Sequence, residues 1–201
     1  MQLTFSVRTE VIRLIKAKRA NFRSFRQAAN YRGRRRKATN LAKHLRQFKT
    51  EKWLQAELVH YFWSKKVPVI PEYSNEKWDL CIEMPNGKGK FLLALKCLAD
   101  SGQRALGDFY GGGSAPAEKV KGVAKDLNAI AKYQPGQAAL VLILPLDPND
   151  KKRTKYSMEM LAYIDQRRYR NIIDVKKYPI PFASRCSDGV LFVWLESKNK
   201  L

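Results

Sequence analysis

Three residues in this chain sit where a charge is costly unless something binds it. Asp79 lies inside the apolar run Trp78-Asp79-Leu80-Cys81-Ile82, and Lys96 lies near the end of Phe91-Leu92-Leu93-Ala94-Leu95-Lys96-Cys97. Glu57 falls four residues after Trp53 and three after Leu54, on or beside the apolar stripe of a helical stretch. A carboxylate or ammonium placed among apolar side chains loses its hydration and has to be repaid by a partner. Together such groups offer oxygen donors for a hard cation and a positive charge that can relieve a developing anion.

Each has a plainer reading as well. Asp79 can cap or pair at a strand edge, and Glu57 can pair with Lys52 or Lys65 on the helix surface. Glu83 reads as a solvated strand end and Gln103 as a loop residue. His44 and His60 have no partners at a catalytic spacing. Gly111-Gly112-Gly113-Ser114 lacks the Lys-Ser/Thr ending of a phosphate-binding loop. Lys96 is the hardest to dismiss, because it closes an otherwise apolar strand.

The elements that must position these residues follow from the hydrophobic period. A helix is expected from about Thr50 to Lys66, with Trp53, Leu54, Leu58, Tyr61 and Phe62 on its apolar side. Strands are expected at Val67–Tyr73, Lys77–Met84 and Lys90–Leu98, with Pro85-Asn86-Gly87 turning the second into the third. Alternation puts Ala94 and Lys96 on one side of the third strand, with Leu95 and Cys97 opposite. Next come a helix over Pro116–Tyr133, a doubly buried strand over Ala138–Leu146, a helix over Ser157–Arg170 and a last strand over Gly189–Glu196. The expected order is α, β-β-β, α-β-α-β.

The charge is uneven. The 201 residues carry 39 Lys and Arg against 18 Asp and Glu, a formal net charge of +21. Residues 1–52 hold 16 of the basic and two of the acidic residues, so the first quarter is a basic module and the remainder is more balanced. It reads as amphipathic helices, with Val11, Leu14, Ile15, Phe22 and Phe25 at helical spacing and Gly33 as a break. The excess implies a polyanion partner, nucleic acid before an anionic membrane surface. Arg23, Arg26, Arg32, Arg34, Arg35, Arg36, Lys37, Lys43 and Arg46 are its candidate phosphate contacts. An apolar fraction of 45% excludes a disordered chain. No apolar run is long enough to span a bilayer, and the opening residues lack the core of a signal peptide. Three cysteines without metal-like spacing fit a reducing, cytoplasmic setting.

The pattern of a helix with Glu, a strand hairpin carrying Asp and then a tripeptide ending in Lys resembles the PD-(D/E)xK nuclease superfamily. The matching residues are Glu57, Asp79 and Ala94-Leu95-Lys96, and the likeness covers roughly residues 50–146. It implies a restriction-endonuclease-like α/β core, a mixed sheet flanked by helices, over residues 50–201. The basic helical nucleic-acid-binding module of residues 1–49 precedes it. It also implies a metal-dependent endonuclease acting on DNA more readily than RNA, as a homodimer or beside a partner protein that supplies specificity.

In that arrangement Asp79, a glutamate at position 94 and the backbone carbonyl of Leu95 hold Mg²⁺ or Mn²⁺, and Glu57 adds a ligand directly or through water. Lys96 orients the water or stabilises charge. The departure is central: position 94 is Ala, which cannot ligate a metal. Either the chain is a degenerate member that binds without cutting, or it is an inactivated variant of an active enzyme. The intact surroundings favour the second. A non-enzymatic binding or assembly subunit on the same fold is the competing class. A basic RNA-associated protein, with Asp79 and Lys96 coincidental, is the third.

Overall fold

The computed structural model describes residues 5–19, 50–73, 78–87, 89–97, 115–146, 151–181 and 189–198. They form an α/β protein around a six-stranded mixed sheet. Its strands are β1 (Val69–Tyr73), β2 (Trp78–Glu83), β3 (Lys90–Cys97), β4 (Ala138–Leu146), β5 (Ile173–Pro181) and β6 (Gly189–Ser197). Their spatial order is β1-β2-β3-β4-β6-β5. Only β3 and β4 run parallel, joined through helix α3 (Ala115–Ile130); every other neighbouring pair is antiparallel.

Helices α1 (Val7–Ala17) and α2 (Thr50–Ser64) cover one face of the sheet. Helix α3, helix α4 (Lys151–Ile164) and the short α5 (Arg167–Arg170) cover the other. The continuous apolar run of β4 serves both layers. Ala139, Val141 and Ile143 pack with α1 and α2, whereas Ala138, Leu140, Leu142 and Leu144 pack with α3 and α4.

Helix α1 falls inside the basic first quarter, yet it is built into the core. Val7, Val11, Leu14 and Ile15 recur one and two turns apart and are buried against Leu54, Leu58 and Phe62 of α2. The rest of that basic stretch, residues 20–49, lies outside the described residues, as do Gln103 and the Gly111–Gly113 loop.

The β2–β3 hairpin is closed by a 3₁₀ turn at Pro85–Gly87. Gly87 and Gly89 both adopt positive φ there, a conformation that a side chain would strain. The Met84 N–H donates to the Gly89 carbonyl at 2.9 Å and fixes the register Glu83↔Lys90.

Two expectations need correction. The helix expected over Ser157–Arg170 begins at Lys151 and stops at Ile164; after Asp165 and Gln166, Arg167–Arg170 forms a separate turn. The segment Ile173–Pro181, left without an element by the period, is β5, at one edge of the sheet. Its Pro179 and Pro181 cost ladder donors, which an edge strand tolerates.

A candidate acid–lysine site where two strands part

The β2–β3 ladder runs regularly from Glu83↔Lys90 to Leu80↔Leu93. At Asp79 it changes character. Alternation breaks there, because Trp78 and Cys81 both join the α3–α4 layer while Leu80 and Ile82 join the α1–α2 layer. The Asp79 carboxylate accepts the Leu95 backbone N–H at 2.7 Å, so a side chain takes the place of a strand partner. Gln55 of α2, itself buried, donates from Nε2 to the Asp79 carbonyl at 2.7 Å. Thus Asp79 is held from two directions at the point where the hairpin strands separate.

Ala94 and Lys96 share the α3–α4 side of β3, as alternation requires, and Ala94 is buried among apolar side chains. Lys96 points from that strand toward α3, where its Nζ lies 3.5 Å from Asp126 Oδ2. That separation makes an ion pair, not a hydrogen bond, and the Asp126 Oδ2 atom is fully buried with no hydrogen-bond partner. The oxygen therefore relies on charge attraction alone.

The charges of this cluster act on one another. Burial pushes the Asp79 carboxyl above the ordinary aspartate value, opposed by the Leu95 N–H and the Lys96 charge and reinforced by Glu51. Asp126 is pushed up by burial too, and Lys96 opposes this while Glu51 adds to it. Burial works against the Lys96 ammonium, but Asp126, Glu51 and Asp79 together outweigh it and its pKa is raised. Lys96 therefore stays charged, paired with Asp126 and within electrostatic reach of Glu51 and Asp79.

Of the acids on α2, the electrostatics bring Glu51 to this cluster. Glu57 stands elsewhere. Its Oε2 is 2.9 Å from Lys18 Nζ at the end of α1, so it ties two helices together and is not placed beside Asp79. Helix phase explains the difference. The buried stripe of α2 is Leu54, Gln55, Leu58 and Phe62. Glu51 is one turn before Gln55, whereas Glu57 is rotated about 200° from that glutamine. Glu51, Gln55 and Asp126 are the residues that sequence reasoning missed. For Glu51 the signal was its i, i+4 relation to a glutamine inside an apolar stripe. For Asp126 there was none, since only the tertiary fold brings α3 to Lys96.

The described residues around Asp79 and Lys96 do not by themselves make a divalent-ion site. Position 94 contributes a methyl group, and one Asp79 oxygen is engaged by Leu95. Among the described residues no three His, Cys, Asp or Glu side chains come together closely enough to hold a metal. The basic candidates from Arg23 to Arg46 lie outside the described residues. Among those described, no helix is long and apolar enough to cross a membrane. No protein-family model, curated protein or solved structure matches the chain.

Proposed function

We propose that this chain is a PD-(D/E)xK-type nuclease scaffold that binds nucleic acid, DNA in preference to RNA, with a phosphodiester-hydrolysing site disabled at Ala94. The reading rests on one observation: where β2 and β3 part, a half-buried Asp79 accepts the Leu95 N–H, and the next residue of that strand is a charged, largely buried lysine, Lys96. The helix-hairpin-helix-strand order around them, with a parallel β3–β4 pair, supports the same scaffold.

The chain's own residues suit half of that chemistry. The Lys96 ammonium is kept protonated and oriented by Asp126, and so is ready to meet a phosphate oxygen. Asp79 is fixed by Leu95 and Gln55 at the place where a reacting group would approach. A second carboxylate at position 94 would give Asp79 a neighbour across the strand pair, and Mg²⁺ or Mn²⁺ an oxygen pair to bind. Without it, binding is retained and hydrolysis is lost.

A second reading has its own support. Ala94 is only 4% exposed and packs with apolar neighbours, which suits an alanine that belongs there. On that reading the chain is a non-enzymatic binding or assembly subunit. Cleavage of plasmid and oligonucleotides by the Ala94→Glu protein, with and without EDTA, separates the two. Restored Mg²⁺- or Mn²⁺-dependent cleavage that disappears again with Asp79→Ala or Lys96→Ala supports the nuclease scaffold, because the residues act as a unit. Inactivity on single- and double-stranded DNA and RNA, with binding intact, supports the subunit.

A further inference from the structure

Most described cations on the α1–α2 side of the sheet are paired with carboxylates. On the α1–α2 side, Arg8 faces Glu196, Arg13 and Lys65 face Glu10, Lys18 faces Glu57 and Lys52 faces Glu72. Those charges are already neutralised within the protein. The cations of that side without a carboxylate partner among the described residues, Lys16, Arg19 and Lys66, lie at or beyond helix ends.

Helix α3 is different. Val123, Leu127 and Ile130 bury its inner stripe, and Asp126 borders that stripe to reach Lys96. Lys121, Lys125 and Asn128 lie on the outward side at helical spacing, and Lys132 continues the line in the turn after the helix. All four are exposed, and none of the three lysines has a carboxylate partner among the described residues. Lys121 and Lys125 are one turn apart, about 6 Å along the axis. A nucleic-acid strand carries a phosphate about every 3.4 Å along a duplex axis, so such a row can meet successive or alternate phosphates.

We infer that the outer surface of α3 is a phosphodiester-backbone contact, which lays the strand along α3 and past Lys96. The inference rests on the proposed nucleic-acid function and adds a surface to it, separate from the basic segment of residues 20–49. The charge complementarity is local. A lysine row without a carboxylate partner among the described residues stands beside Asp126, whose own partner is the site lysine. The described large apolar residues of α3, Val123, Leu127 and Ile130, point inward, which favours a charged partner over one recognised by apolar contact.

The test is the salt dependence of binding to a fluorescein-labelled DNA duplex, measured in EDTA so that no hydrolysis intervenes. The full chain is compared with the Lys121→Gln/Lys125→Gln/Lys132→Gln variant and with a control, Lys16→Gln/Lys66→Gln, on the opposite side. The α3 variant should bind more weakly, and its log–log salt slope should fall by about 0.9 for each phosphate it no longer neutralises. The control should keep the parent slope. Circular dichroism melting should be the same for all three, since every altered side chain is exposed. An unchanged slope in the α3 variant, or an equal fall in the control, overturns the inference. Failure of the unaltered chain to bind any duplex or single strand overturns the nucleic-acid reading beneath it, a result that looks different.

Discussion

Two clusters of partly buried charged groups stand out among the described residues, and they are built to opposite principles. The first joins α1 to α2. Glu10, 13% exposed, accepts two hydrogen bonds from Arg13 at 2.8 and 3.1 Å, one from the Tyr61 hydroxyl and an ion pair from Lys65 at 3.2 Å. Lys65 also sits 5.1 Å from the centre of the Tyr61 ring. Burial raises the Glu10 pKa, but these donors and charges outweigh it and hold the carboxyl below its usual range. The second cluster joins α2, β2, β3 and α3. There burial wins for Asp79 and Asp126, like charges face one another, and one oxygen lacks a hydrogen bond.

The first arrangement stabilises the fold. The second sets burial against charge, which is the arrangement the proposed site would require. The contrast also places α1. Its Arg13 belongs to the stabilising cluster and its Arg8 pairs with Glu196, so being basic is not enough to make a segment a nucleic-acid arm.

The largest effect should come from the apolar half of the α1–α2 junction. Ile15→Ala removes a fully buried side chain, and should cost about 2–5 kcal/mol in urea unfolding. If α1 were an appended arm, the cost would be near zero.

Glu10→Gln should come next, with about 1–3 kcal/mol lost at pH 7, since it removes the negative charge that Arg13 and Lys65 share and turns one of the two acceptor oxygens into a donor. Because the folded pKa of Glu10 lies below the unfolded value, its contribution is fully present above about pH 4.5 and is lost as the pH falls through the folded value. The gap between wild type and variant should therefore close on acidification. A gap that stays constant with pH would mean that the charge on Glu10 is irrelevant.

Asp79→Asn should act with the opposite sign. The folded pKa of Asp79 is raised, so the folded state holds that proton more tightly than the unfolded chain does, and stability drains as the pH rises from 3.8 through the folded value. The substituted amide retains an acceptor for the Leu95 N–H and has no charge to desolvate. The melting temperature at pH 7 should rise by a few degrees, and the gain should vanish in acid. A drop at pH 7 would put Asp79 with Glu10, among the stabilising groups.

The smallest effect concerns Cys81. Burial pushes its thiol pKa up, and it is enclosed in the α3–α4 layer. Alkylation at pH 8 should modify Cys81 only after unfolding.

The contrast between the clusters was only partly legible in the sequence. The hairpin, its turn and the alternation of Ala94 with Lys96 could be read because each depends on a few consecutive residues. Strand β4 was equally plain, since a nine-residue apolar run has few other uses. Strand β5 was not, because Ile173–Pro181 mixes lysines with two prolines and an edge strand needs no apolar face. The choice between Glu51 and Glu57 depended on the phase of α2, which Trp53 misleads: it lies next to the buried stripe but is only partly buried. Asp126 could not be found at all, because its meaning arises from a contact thirty positions away in the chain.

The central claim is that the second cluster is a phosphodiester site short of one carboxylate at position 94. Mg²⁺ titration by calorimetry addresses it without requiring turnover, with the chain as it stands, the Ala94→Glu protein and the Ala94→Glu/Asp79→Ala protein run side by side. The account predicts saturable Mg²⁺ binding only for Ala94→Glu, abolished again when Asp79 is removed. If Ala94→Glu folds as the parent does and binds Mg²⁺ no better, or if the parent binds it equally well, the claim is contradicted.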